Sequence, residues 1–262
     1  MCGIGGFIAN SMSIRYKIYI ARQLAYGLSE RGTDSYGVMN EKGEWFKAVK
    51  TDIADFINDT RFKNVVINGR IIFIHTRYAT KGKINISNCQ PLQNEKYVLL
   101  HNGQIYGYGD QEHSDTKEFF QKLLKEDMNK VIQKADGWLA LLIYSKEDRK
   151  VFAYKESSPL SYGYDNRRNL YFASTKEYLE ILSVFGIRIR NILSPKECQL
   201  LQFSDSGILE KITKIAKAKP KWYDSKGVVV AEQFKGFDKW ANGWGGLHDI
   251  DYPQIHKNDY WD

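Results

Sequence analysis

Met1-Cys2-Gly3-Ile4-Gly5-Gly6-Phe7-Ile8 sets a cysteine directly before a short apolar stretch punctuated by glycine. Glycines at 3, 5 and 6 suit a strand that other backbone approaches closely. A lone cysteine is more often an inert apolar group than a nucleophile, but the second position changes its chemistry. A small second residue permits removal of Met1, which would leave a thiol and an α-amine on the same residue. Their ordinary pKa values, about 8.5 and about 8, are matched for proton exchange. A cysteine so placed can supply its own base, directly or through one water, as N-terminal threonine nucleophiles do.

Outward from this stretch, Ile14, Ile18, Ala21, Ala25 and Leu28 recur at helical spacing and predict an amphipathic helix over Ile14–Leu28, ending near Gly32. Short runs rich in Ile, Val, Tyr and Phe then read as strands: Ile71–His75, Tyr97–His101, Trp138–Tyr144, Val151–Tyr154, Leu170–Ala173 and Gln199–Phe203. Ser114–Leu124 predicts a second helix with Ser-Asp-Thr at its start, and Thr175–Val184 a third. Successive strands with helices set apart point to α+β layers rather than a βαβ alternation.

Three segments give Cys2 a chemical setting. Arg31-Gly32-Thr33-Asp34-Ser35-Tyr36-Gly37 follows the first helix. His75-Thr76-Arg77-Tyr78-Ala79-Thr80-Lys81-Gly82 leaves a buried strand for a loop, and His101-Asn102-Gly103 is expected to do the same after the next strand. Loops at strand ends are where a rigid scaffold displays reactive groups. Arg77 suits a carboxylate, gripped by two parallel hydrogen bonds. Asn102 and the Gly103 N–H can form an oxyanion hole, and Asp115 can pair with an ammonium. Each residue has a plainer alternative: Arg77 as a surface ion pair, Asn102-Gly103 as a turn, Asp115 as a helix cap.

Taken together, residues 1–7, 31–37, 75–80, 101–103 and 114–116 resemble the glutaminase domain of the class II glutamine amidotransferases, a branch of the N-terminal-nucleophile hydrolases. The resemblance continues more weakly through Ala135–Ala140, Ser158-Pro159-Leu160 and Ala173-Ser174, and covers about the first 205 residues. It implies a four-layer αββα sandwich. It also implies that Cys2 attacks the glutamine side-chain amide with its own α-amine as base, while Asn102 and Gly103 hold the oxyanion. Arg77 would then bind the substrate α-carboxylate, Asp115 its α-ammonium, and Thr80 would help position it. Arg31 and Gly32 would form the loop beside the nucleophile. Two departures touch loop and acceptor-side detail: Lys81 stands where sugar-phosphate members usually carry His, and Ser158-Pro159-Leu160 lacks the Arg-Asp common before Pro-Leu.

Composition bounds the rest. The 262 residues are 43% hydrophobic and 26% charged, a length that can bury a core without disulfides or a structural metal. No apolar run is long enough to cross a bilayer, and three widely spaced cysteines (Cys2, Cys89, Cys198) form no disulfide framework. The expectation is a cytoplasmic protein with no cofactor and no metal. A net charge of +7 leaves room for an anionic partner such as nucleic acid, which nothing in the sequence supports. The basic cluster Lys211, Lys214, Lys217, Lys219 and Lys221 reads as a solvated linker or helix face. The expected division is a glutaminase domain over 1–215 and an aromatic-rich extension over 216–262, with no separate synthase domain. The protein would therefore supply ammonia to a separate enzyme. A hydrolase of another γ-glutamyl compound and an inactive binding module on the same fold stand as alternatives.

Overall fold

In the computed structural model, which describes residues 1–184 and 186–217, the strand after Cys2 runs through the middle of a sheet. This strand, β1 (Gly3–Ile8), is followed by α1 (Ile14–Ser29), β2 (Ser35–Asn40), β3 (Trp45–Val49), α2 (Ile53–Asn58), α3 (Thr60–Asn68) and β4 (Ile71–Arg77). Next come β5 (Leu92–Gln93), β6 (Tyr97–Ile105), α4 (Asp115–Lys125), α5 (Met128–Lys134), β7 (Gly137–Ser145) and β8 (Lys150–Lys155). The last described elements are β9 (Ser161–Tyr164), β10 (Leu170–Ala173), α6 (Lys176–Val184), β11 (Arg190–Leu193), β12 (Gln199–Ser204) and β13 (Leu209–Lys214).

Two antiparallel sheets result, one ordered β11-β9-β10-β1-β4-β2-β3 and the other β13-β12-β8-β7-β6-β5. Period-two alternation divides their side chains among three apolar layers. Ile72 and Ile74 of β4 face outward, packing with Leu24 and Leu28 of α1, Phe62 of α3 and Leu179 of α6. Ile71 and Phe73 of the same strand face inward, meeting Val98, Leu100, Ala140 and Leu142 of the second sheet. That sheet's outer residues Leu99, Leu141 and Ile143 pack with Phe119, Phe120 and Leu123 of α4 and Val131 and Ile132 of α5. The layer order is αββα, as the family resemblance implies.

Local chemistry sets the element ends that matter for the site. Ser13 caps α1, its hydroxyl accepting from Tyr16 N at 3.3 Å, and Ser114 caps α4, accepting from Lys117 N at 3.3 Å. The cap of α4 is therefore Ser114, which leaves the Asp115 carboxylate for other partners.

Two expectations are corrected. His101-Asn102-Gly103 does not enter a loop: β6 continues to Ile105, because β7 runs beside it as far as the Gly137–Ile105 pair. Lys211 and Lys214 belong neither to a linker nor to a helix but to β13, the edge strand, where exposed lysines discourage pairing with another chain. Lys217 forms a 2.9 Å ion pair with Glu156. Residues 218–262, including Lys219, Lys221 and most of the expected extension, lie outside the described residues. No helix of the described residues is long and apolar enough to cross a membrane.

The inter-sheet layer should dominate stability. Leu142→Ala, in that layer, is expected to lower the unfolding free energy by about 2–5 kcal/mol, whereas Ile212→Ala, half-exposed on β13, should stay within about 0.5 kcal/mol. Urea unfolding of the two variants against the wild type checks the ordering.

Candidate active site

The apolar layer between the sheets turns polar at one end. On β4 the inward row runs Ile71, Phe73, His75, Arg77, and β1 pairs with it so that Gly3 faces Thr76 and Ile4 faces His75. Cys2, one step before β1, thus falls beside Arg77 on the same inward side. From the opposite sheet the inward row of β6 runs Val98, Leu100, Asn102, and β1 lies in contact with β6. The nucleophile candidate, the cationic candidate and the amide candidate therefore converge from two sheets on the same end of the sandwich.

Cys2 is buried, and its Sγ lies 3.6 Å from the Tyr78 carbonyl. Burial pushes its thiol pKa up, against a smaller downward pull from nearby charge that includes Arg77 and an upward push from Asp115. The thiol is thus protonated at neutral pH and needs a base to become a nucleophile. Arg31 Nε donates to the Cys2 carbonyl at 2.9 Å and fixes the peptide after the cysteine. Gly32 lies against the Arg77–Tyr78 peptide so closely that a Cβ there would sit 2.3 Å from the Arg77 carbonyl carbon.

Arg77 is buried, and its guanidinium donates to the Lys81, Gly82 and Lys83 carbonyls at 2.6, 3.4 and 3.1 Å. The surface ion pair considered for it is absent among the described residues. The loop 78–83 is thereby folded around a cation whose charge no carboxylate among the described residues balances. Thr80 lies exposed in this loop, and no hydrogen bond among the described residues ties it to the other candidates.

Asn102 is fully buried, and among the described residues neither its Oδ1 nor its Nδ2 has a hydrogen-bond partner. Leaving a buried amide unsatisfied costs about 1–3 kcal/mol, so this side chain wants a partner that the described residues do not supply. Gly103, beside it, has φ +136°, and a Cβ there would lie 1.7 Å from the Trp138 carbonyl oxygen. Only glycine fits. The Asp115 carboxylate accepts from Ile105 N and Thr116 N, both at 2.7 Å, and so sits at the same end of β6.

Several residues at this site carried no role in the sequence reading. Asp34 accepts from Ala79 N through Oδ2 at 2.7 Å while its own N–H donates to the Arg77 carbonyl at 2.9 Å, pinning the start of the loop. Its only signal was a place inside Arg31–Gly37. Gln90, Thr116 and the His75 and His101 rings form the buried polar surround. His75 Nε2 faces the His101 carbonyl at 3.2 Å, so that nitrogen carries the proton, and Nδ1 is left without a partner. Burial lowers the His75 pKa to about 3. Among the described residues no group of three or more His, Cys, Asp or Glu could hold a metal ion.

The layered sheets bring a cysteine, a buried amide and a guanidinium together at one end of an αββα sandwich. Comparisons with known proteins narrow this. Residues 75–180 match the family described as "Glutamine amidotransferase domain". Glutamine–fructose-6-phosphate aminotransferase (isomerizing) of Helicobacter pylori is 28% identical over 203 residues, covering 68% of this chain and 33% of that protein. Among solved structures, the glutamine phosphoribosylpyrophosphate amidotransferase of Bacillus subtilis superposes with a TM-score of 0.63 at 19% identity, over 85% of this chain and 50% of that one. A glutamine aminotransferase class-II domain protein of Silicibacter pomeroyi superposes with a TM-score of 0.50 at 10% identity, over 83% of this chain and all of that one. The matched segment, residues 75–180, is thus similar to a glutamine amidotransferase domain, and the two-sheet fold around it is that of the solved amidotransferase. The chain spans about a third of the length of the curated relatives it matches.

His75 gives the site a pH signature. Its folded pKa, about 3, lies below the ordinary 6.5, so its contribution is complete above pH 6.5 and is lost as pH falls toward 3. Across that window the wild type should lose stability more steeply than His75→Gln, the slopes differing by up to about 1.4 kcal/mol per pH unit. Urea unfolding at pH 7, 6 and 5 on both proteins measures the difference, and equal slopes would contradict the assignment.

Proposed function

We propose that the domain over residues 1–215 hydrolyses the side-chain amide of glutamine to glutamate and ammonia through a γ-glutamyl thioester on Cys2. The observation that carries this reading is the Asn102 side chain, fully buried with both polar atoms unpartnered, facing the sheet that presents Cys2 and Arg77. An apolar or purely structural site would have no use for such an amide, whereas a developing oxyanion satisfies its Nδ2.

In this mechanism the sequence begins with loss of Met1, since an acylated nitrogen cannot act as a base. Met1 is 64% exposed, which leaves it open to an aminopeptidase. The freed α-amine takes the thiol proton as Sγ attacks the amide carbon. Asn102 Nδ2 and the Gly103 N–H stabilise the tetrahedral oxyanion. The α-ammonium returns the proton to the departing nitrogen, which leaves as ammonia, and water then cleaves the thioester to glutamate. Arg77 grips the substrate α-carboxylate, answering its lack of a carboxylate partner. Asp115 receives the α-ammonium on lone pairs its two backbone donors leave free, Thr80 closes over the amino acid, and Arg31 and Gly32 hold the peptide beside the nucleophile.

The ammonia is passed to a separate acceptor enzyme rather than to water, where dilution and protonation would waste it. The relatives named above use glutamine according to their names, which supports glutamine as the donor here. Two exposed aromatics, Tyr78 after Arg77 and Trp138 against Gly103, are 56% and 55% exposed, and residues of this type are favoured anchors for a partner.

Mass analysis should find the mature protein without Met1, and Cys2→Ala should abolish glutamine hydrolysis. Asn102→Ala should lower kcat by about 10²–10³, while Arg77→Lys should chiefly raise KM, by roughly ten- to a hundredfold. Steady-state glutamate release reads both. Labelling of Cys89 or Cys198 instead of Cys2 by a thiol-directed glutamine analogue, or the same kinetic parameter moving in both variants, would overturn the assignment.

A further inference from the structure

The edge of β6 raises a question of its own. β5 pairs with β6 only at Val98 and Leu99, so beyond that point the outward edge has no neighbouring strand. Its N–H groups must find partners elsewhere or stay buried and unsatisfied. His101 N donates to Gln90 Oε1 at 2.6 Å and Ile105 N donates to Asp115 Oδ2 at 2.7 Å. Gly103 lies midway between these two attachments. Two side chains thus stand in for a missing strand, and they bracket the residue pair assigned to the oxyanion.

Gln90 does more than fill one position. It is buried, and its Nε2 donates to Thr116 Oγ1 at 3.2 Å. The Thr116 hydroxyl lies 2.9 Å from His101 Nδ1, and His101 Nε2 lies 3.4 Å from the Trp138 carbonyl. A carbonyl can only accept, so Nε2 carries the imidazole proton and Nδ1 faces the Thr116 hydroxyl as an acceptor, a hydroxyl that also lies 3.3 Å from Asp115 Oδ1. Burial lowers the His101 pKa, in keeping with a neutral ring. The Trp138 carbonyl is the atom against which Gly103 packs. One run of hydrogen bonds therefore links the segment before β5, the start of α4, β6 and β7, with Asn102 and Gly103 inside it.

We propose that Gln90 is a positioning residue for the oxyanion strand: through His101 N and the Thr116–His101–Trp138 run it holds Asn102 and Gly103 in the geometry that the transition state needs. The proposal rests on the glutaminase reading above. Gln90 touches no reacting atom, and its effect reaches the chemistry only through β6. Because the oxyanion forms after glutamine is bound, its loss should fall on kcat and not on KM.

Methionine fills the volume of Gln90 without its hydrogen bonds. Gln90→Met is expected to lower kcat for glutamine hydrolysis roughly ten- to a hundredfold, since small misplacements near a reacting centre have effects of that size, with KM changed less than about threefold. Thr116→Val should act in the same direction, and Thr116→Ser, which keeps the hydroxyl, should restore most of the rate. In an Asn102→Ala background Gln90→Met should cost little more, because the geometry it maintains has already lost its main donor. A folded Gln90→Met with wild-type kcat overturns the proposal, as does a loss that is fully additive with Asn102→Ala. If Gln90→Met fails to fold, the Thr116→Val and Thr116→Ser pair decides, and equal activity in those two overturns it. A wild-type protein that does not hydrolyse glutamine overturns the glutaminase reading itself, a different result from an active wild type indifferent to Gln90.

Discussion

The pairing of β1 between β4 and β10 is the constraint on which the rest of the molecule depends. It is antiparallel on both sides, in a register that sets Gly3 opposite Thr76 and Gly5 opposite Ala173. Because Cys2 directly precedes this strand, its position is fixed by the ladder of a central strand and not by a loop. Shifting that register by one residue would turn every β1 side chain to the other face and carry Cys2 away from Arg77. The Cys2 thiol is thus positioned by a strand paired on both sides in the middle of the sheet.

The same sandwich supplies the electrostatics. Its inward rows are apolar until the last positions, where Phe73 gives way to His75 and Arg77 and Leu100 gives way to Asn102. These polar groups keep the low-dielectric surroundings of the core: Arg77 donates to the carbonyls of its own loop, His75 holds one partner, and Asn102 has none among the described residues. An Asn102 amide unsatisfied among the described residues weakens the fold by an amount comparable to a lost hydrogen bond, and a buried Arg77 charge without a carboxylate beside it adds a desolvation cost. The apolar layers offset this cost, and under the proposed function a bound amino acid meets both groups. Around them Asp34 is bonded to the loop, Gln90 to β6 and Asp115 to Ile105.

Much of this was legible in the sequence because local signals and burial agreed. The helix expected over Ile14–Leu28 occurs as Ile14–Ser29, and the strand at Leu170–Ala173 has the expected bounds. The Ser-Asp-Thr start of α4 was readable as a capping site, although only the structure separates Ser114 as the cap from Asp115 as an acceptor of Ile105 N. Other features had no local signal. The helices α2 and α5 are six and seven residues long, too short for an apolar period to repeat. Asn102-Gly103 has the composition of a turn, and it stays in a strand only because β7 lies beside it and side chains from residues 90 and 115 complete its edge. Gln90 is uninformative by itself, since its importance comes from contacts 11 and 26 residues away. Local sequence reports local structure, and these positions are defined by tertiary contacts.

The central claim is that Cys2 and the Asn102-Gly103 pair, contributed by different sheets, act on one carbonyl. A crystal structure of the protein inactivated by a thiol-directed, glutamine-derived electrophile tests it most directly. The account predicts a covalent bond from Cys2 Sγ to the analogue's carbon, with the analogue's oxygen about 2.7–3.1 Å from both Asn102 Nδ2 and Gly103 N. An adduct on Cys2 whose oxygen points away from both donors, or an adduct on another cysteine, would contradict it.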